Sequence, residues 1–188
     1  MVTFTGKSTL IRALDDAVSL GNVHRVTEAV KQALKRLVAE KAFDLPEQFR
    51  KPIEGTYARR LLHRSPEYGY TALAMVWAPG QGTALHDHSG MWCVEGVLEG
   101  ELEVVQYELL EKKNDLYYFA PKGSVFAGVG SAGSLIPPFE YHTISNCDPS
   151  RLAITLHVYG GEMDHCNIFE PVEGGGYKML VKQLSYHD

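Results

Sequence analysis

From Ser8 to about Ala42, apolar residues recur every three or four positions. Leu10, Ala13, Leu14 and Val18 form one stripe, and Val26, Val30, Ala33, Leu34, Leu37 and Val38 form a second. That period belongs to an α-helix with one buried face. The stretch SLGN, Ser19 to Asn22, breaks it, so two amphipathic helices are predicted. Neither carries chemical groups in a catalytic arrangement, and their expected role is to cap a core. A proline-bearing connection, Asp44 to Glu54, leads to a different pattern. Short runs rich in valine, tyrosine, threonine and leucine follow, separated by glycine and proline: YARRLLH, YGYTALAMVWA, MWCVEGVL, ELEVVQYELL, DLYYFA, SVFAGV, EYHTISN, RLAITLHVYG, NIFEPV and YKMLVKQLSY. Such spacing reads as antiparallel strands in a sandwich or barrel. The expected architecture is mainly β: a helical part over residues 1–45 packed on a barrel over 50–188, within a single domain spanning 1–188.

Composition narrows the partners. A chain of 188 residues fits one domain with a sizeable core of its own. Its net charge of −5 and pI near 5.9 give no basic footprint, which argues against a nucleic-acid partner. No leader pattern opens the sequence and no apolar run is long enough to span a bilayer, so the expectation is a cytoplasmic protein without a membrane partner. Three cysteines, Cys93, Cys147 and Cys166, are then expected as free thiols. The stretch TGKS, Thr5 to Ser8, mimics the tail of a phosphate-binding loop, but Met1 stands where that loop needs a glycine.

Chemistry concentrates between Leu85 and Gly100, LHDHSGMWCVEGVLEG. On a strand, His86 and His88 point to one side and Asp87 to the other, which suits two imidazoles gripping one metal. Gly80 lies six residues before His86, Cys93 five after His88, and Gly100 seven after Cys93. In PPFEYHTISN, a proline precedes His142, and Asn146 follows it. These stretches resemble the two cupin motifs, with Cys93 in place of the usual acid and Phe139 in place of a glycine. The resemblance implies a cupin-type double-stranded β-helix (a jelly-roll barrel) with a metal in its mouth, held by His86, His88 and His142. A shell of neutral histidines with no carboxylate leaves the metal its full charge, ready for an anionic ligand such as a thiolate. Zinc also occurs with three histidines, so the ligands alone do not name the metal.

Thr155, His157 and Tyr159 alternate along ITLHVYGG and face one side of a strand. If that side is the cavity, the Tyr159 hydroxyl lies near the open metal positions, with His157 holding it and Thr155 steadying His157. HDH at 86–88 with Cys93 after it, His142, TLHVY with His157 and Tyr159, and YAR at 57–59 together resemble the cysteine dioxygenase family of thiol dioxygenases, in a bacterial-type member. The resemblance implies iron(II), Fe(2+), on the three histidines and a thioether crosslink between Cys93 and Tyr159. It also implies that Arg59, beside Tyr57, meets the substrate carboxylate; a guanidinium fork suits that task, and Arg60 would point the other way. Thr155 stands where the family commonly has serine, and Gly160–Gly161 where many cysteine-specific members have serine and proline. Relatives that prefer 3-mercaptopropionate usually carry glutamine for the arginine and lack the cysteine. The expected activity is oxidation of L-cysteine with O2 to cysteine sulfinic acid. The alternatives are a dioxygenase of 3-mercaptopropionate or another small thiol, and a metal-binding cupin without oxygenase activity. Cys147, Cys166, His24, His63, His165 and His187 receive no role, and the oligomeric state is left open.

Overall fold

A computed structural model of the chain describes residues 3–187. Two helices come first, α1 (Lys7–Val18) and α2 (Val23–Ala39), as the two apolar stripes predict. Between them Gly21 takes φ 73°, and the Asn22 side chain accepts a hydrogen bond from the Arg25 amide, which starts α2. Among the described residues eleven strands follow: β1 (Ala58–Arg64), β2 (Thr71–Trp77), β3 (Leu85–His86), β4 (Cys93–Glu99), β5 (Glu101–Lys113), β6 (Leu116–Gly128), β7 (Ala132–Leu135), β8 (His142–Ser145), β9 (Ala153–Tyr159), β10 (His165–Pro171) and β11 (Tyr177–Gln183). No helix among the described residues is long and apolar enough to cross a membrane.

The strands form a cupin double-stranded β-helix. One sheet runs in the order β1-β2-β9-β4-β7, and the remaining strands close in the order β10-β11-β6-β5-β8-β3. The helices cover the outer face of the first sheet. Leu10, Leu14, Val30, Leu34 and Leu37 pack there against Ala72, Ala74 and Val76 of β2 and Ile154, Leu156 and Val158 of β9. The alternate residues, Leu73, Met75 and Trp77 with Cys93 and Tyr159, line the barrel interior with Leu102 and Ile144 of the opposing strands. Both faces of β2 and β9 are therefore buried, which is why their sequences are apolar almost throughout instead of alternating. At Gly96 an added Cβ would come 3.2 Å from Leu34, so this glycine lets α2 lie close on β4. The two-residue period then sends Cys93 and Glu95 of β4, and Thr155, His157 and Tyr159 of β9, into the barrel.

The strand pattern departs from expectation in three places. DLYYFA and SVFAGV, read as separate segments, are one strand, β6, paired with β5 in a long hairpin. Pro121 suggests a break there, but β6 pairs with β11 only through Leu116 and Tyr117, so the proline's missing N–H falls where no second neighbour needs it. The short strand β7, AGSL, carries too little apolar pattern to announce itself. And β3 ends at His86, so His88 reaches the interior from the turn beyond the strand rather than from the strand itself.

Candidate active site

His86, His88 and His142 converge: one ring nitrogen from each lies within 4.8 Å of the others, and all three residues are buried. β3 pairs His86 directly with His142 on β8. Two of the rings are aimed by the same local device. The Nδ1 of His86 lies 3.0 Å from the Ala84 carbonyl and that of His142 2.8 Å from the Glu140 carbonyl, two residues back in each case. A carbonyl only accepts, so Nδ1 carries the proton and Nε2 keeps its lone pair. Neither nitrogen of the His88 ring, which is wholly buried, has a hydrogen-bond partner, nor has His142 Nε2. Buried polar atoms are almost always paired, and three lone pairs directed at one another fit a metal ion that would join them. Burial, and then the neighbouring His142, lowers the pKa of His86 to about 3 and that of His88 well below its ordinary value, so both rings are neutral and able to ligate at physiological pH. Asp87 turns away, as expected, and accepts from the Asn167 amide (2.9 Å) and side chain (2.7 Å), which fixes the HDH turn to β10.

A second line of groups runs along β9. Trp77 Nε1 donates to Thr155 Oγ1 (2.9 Å), and Thr155 Oγ1 lies 2.8 Å from His157 Nε2. The Glu95 carboxylate, which only accepts, lies 3.2 Å from His157 Nδ1 and favours the ring proton there, so that Nε2 accepts the threonine hydrogen. His157 Nδ1 also lies 3.3 Å from the Tyr159 hydroxyl. Cys93 on β4 is the direct cross-strand partner of Tyr159 on β9. Burial first, and then the proximity of Cys93, holds the Tyr159 hydroxyl protonated; burial likewise pushes the Cys93 thiol up.

Tyr57 and Arg59 line a small cavity together with His86, His157 and Tyr159. Tyr57 stacks on Trp77 with ring centroids 4.5 Å apart. Arg59 is buried; its guanidinium donates to the carbonyls of Met163 (2.8 Å) and Ser185 (3.3 Å) and lies over Tyr186. Arg60 donates instead to the Lys51 carbonyl, outside this cavity. His187, given no role from sequence, holds the chain end against β1: its Nδ1 accepts from the Arg59 amide at 3.0 Å. Cys166 also lines the cavity, its thiol pushed up to about 11 by burial. After Tyr159, Gly160 and Gly161 pass under Trp92 and Met91; a Cβ on Gly160 would fall 2.3 Å from the Trp92 indole nitrogen, so only glycine allows this approach.

One carboxylate given no role from the sequence lies beside these rings. Glu95 reaches into the same space, its Oε1 3.4 Å from His142 Nε2 and 3.2 Å from His157 Nδ1. Glu95 stands two positions beyond Cys93 and shares its face of β4. Burial works against the charge on Glu95, but His157 and His142 outweigh it and hold the carboxyl well below the usual range.

The sequence pattern of the family described as "Cysteine dioxygenase type I" matches residues 19–171, most of the chain. The chain belongs to the cysteine dioxygenase type I family. Cysteine dioxygenase type 1 of Rattus norvegicus is 23% identical over 166 residues, 88% of this chain and 77% of that protein. The Homo sapiens protein of the same description is 22% identical over the same shares. Among solved structures, an oxalate oxidase in complex with the substrate analogue glycolate aligns with a TM-score of 0.46 at 18% identity, over 63% of this chain and 59% of that one; so distant a likeness bears on neither substrate nor mechanism.

Proposed function

We propose that the chain is a non-haem iron(II) thiol dioxygenase that oxidises L-cysteine to cysteine sulfinic acid. The observation that carries the proposal is the convergence of the buried rings of His86, His88 and His142, with His86 also lining the cavity that Arg59 and Tyr159 line. His86, His88 and His142 would hold the iron. Bound iron would supply the redox chemistry that brings dioxygen and a thiolate to reaction. The reaction balances without another reductant, because sulfur gives up four electrons, O2 takes them, and both oxygen atoms end on sulfur.

The chain's own residues do the positioning. Arg59 offers a guanidinium fork to the substrate carboxylate, with Tyr57 packed beside it, which sets how far the substrate reaches toward the histidines. Tyr159 presents a protonated hydroxyl to the reacting groups, His157 orients that hydroxyl, and Thr155 fixes the ring of His157. The buried walls exclude bulk water, so each of these hydrogen bonds acts in a low-dielectric space. The helices and barrel share one core, in keeping with residues 1–188 working as a single domain. A small thiol and O2 are the partners this chemistry requires, and the cytoplasm, where thiols stay reduced, is the compartment it suits.

Cys93 and Tyr159, cross-strand partners on β4 and β9, would join as a thioether, with the loss of two hydrogens to O2 as oxidant. Cys93→Ser is expected to abolish a faster-migrating band on denaturing gels while leaving part of the activity; an unchanged band pattern would contradict the crosslink. The function is tested by loading the protein anaerobically with iron(II) and comparing specificity constants in oxygen uptake for L-cysteine, 3-mercaptopropionate and cysteamine. Preference for cysteine is expected. A strong preference for the amine-free thiol would reassign the substrate, and no uptake with any thiol would overturn the activity.

A further inference from the structure

We propose that Tyr186 is a positioning residue for substrate recognition, its ring fixing the Arg59 guanidinium for the carboxylate of the thiol. The inference rests on reading Arg59 as the group that meets that carboxylate. The first observation is an unanswered charge. Arg59 is buried, and among the described residues no carboxylate lies within ion-pair distance of its guanidinium. Its terminal nitrogens donate instead to two carbonyls, those of Met163 and Ser185. Each terminal nitrogen carries a second hydrogen, so donors remain on both for a ligand. A buried cation is costly unless an anion answers it, and a carboxylate entering the cavity that Arg59 lines supplies one.

The second observation is how that guanidinium is held. β1 is an edge strand of its sheet, and residues 184–187, which follow β11, meet it at Arg59. The His187 amide donates to the Arg59 carbonyl (2.8 Å), and the Arg59 amide donates to His187 Nδ1 (3.0 Å). This two-way contact brings Tyr186 beside Arg59, with the guanidinium carbon 5.3 Å from the ring centroid. An aromatic face attracts a cation through its π electrons and takes up none of the in-plane N–H directions that a carboxylate needs. A long side chain is thereby confined before its ligand arrives, which removes part of the ordering cost of binding.

The third observation is what holds Tyr186. Its hydroxyl donates to Glu162 Oε1 at 2.6 Å, and Arg64 grips both oxygens of the same carboxylate, with Nη2 2.7 Å from Oε1 and Nε on Oε2. Burial, and then this bond to Glu162, pushes the Tyr186 hydroxyl up to about 12, so it stays a donor at physiological pH. Arg64 answers the charge of Glu162, which leaves the charge of Arg59 for an anion from outside. β1 thus supplies one arginine for the ligand and another for the brace, with Tyr186 between them. Discrimination between thiols with and without a carboxylate then depends on Tyr186 as well as on Arg59.

The test is anaerobic binding, read from the absorption of a thiolate on cobalt(II), with the full-length protein and its Tyr186→Leu and Tyr186→Phe variants. L-Cysteine and cysteamine are the probes, alike except for the carboxylate. Tyr186→Leu is expected to bind L-cysteine about tenfold more weakly, while its affinity for cysteamine stays within about twofold of the wild type. Tyr186→Phe keeps a ring over the guanidinium and should recover most of the L-cysteine affinity. Equal weakening for both thiols, as a merely structural role would give, or an unchanged L-cysteine affinity in Tyr186→Leu, would overturn the proposal. A crystal structure of the cobalt-loaded wild type with L-cysteine provides a check that needs no variant. The carboxylate on Arg59, with the Tyr186 ring still over the guanidinium, is expected; a ring swung away would sink the idea. Neither readout uses oxygen consumption. A wild type with no thiolate absorption for either thiol would remove the thiol-binding reading and this inference together, whereas a normal wild type beside an equally normal Tyr186→Leu removes the role of Tyr186 alone.

Discussion

His88→Ala is expected to purify as a folded protein that binds iron at least about 100-fold more weakly than the wild type and shows no measurable thiol oxidation. The reason lies in what surrounds the ring. His88 is wholly buried, sits with its centroid 5.0 Å from that of His142 and 5.4 Å from that of His86, and has a hydrogen-bond partner on neither nitrogen. In the metal-free protein the ring contributes packing but leaves two polar atoms unanswered, so its removal trades a cavity against relief of that penalty. The apo variant should therefore unfold within several degrees of the apo wild type. The metal changes the comparison. Ligand binding to the native state raises its stability by mass action, so iron or zinc should raise the thermal midpoint of the wild type and barely move that of His88→Ala. A variant that kept its metal-induced shift would show that the triad is not the binding site. A variant whose apo form collapsed would assign His88 to the core instead.

Arg59→Ala should lower the specificity constant for L-cysteine by roughly 30-fold or more while iron content stays at the wild-type level, since truncating one partner of a buried charge pair costs about 2–5 kcal/mol. The loss should appear mainly in KM, because a carboxylate held away from the reacting sulfur is bound in the ground and transition states alike. Arg59 also ties Met163 and Ser185 to β1, so a purely structural effect must be told apart from a lost substrate contact. Cysteamine, which has no carboxylate, provides the separation: its oxidation by Arg59→Ala should be nearly unchanged. An equal loss for both thiols would mean that Arg59 only braces the chain end. Arg59→Lys should fall between, keeping the charge without the planar fork.

Much of this arrangement was legible before any coordinates, for identifiable reasons. The helical stripes of α1 and α2 obey one period along their whole length, and a period survives small errors at its ends. His86, His88 and His142 were recoverable because metal ligation constrains residue type and spacing together, and the alternation Thr155, His157, Tyr159 because a strand has only two sides. What escaped notice depended on contacts between distant segments. The docking of His187 on the backbone of Arg59 joins the two ends of the barrel and has no local signature. β7 is a strand because β4 lies beside it, not because AGSL favours one. Gly160 marked a departure from the family pattern, but only the position of the Trp92 indole explains why a side chain cannot stand there. The face of Glu95 follows from that of Cys93, but its contacts with His142 and His157 depend on residues that arrive on β8 and β9.

The most direct test of the account is product analysis after a single turnover of the iron(II)-loaded enzyme with L-cysteine under isotopically labelled dioxygen. Cysteine sulfinic acid carrying the label in both sulfinate oxygens, with one O2 consumed per thiol, is the predicted result. A product with one labelled oxygen, or disulfide as the sole product, would contradict a dioxygenase built on these three histidines.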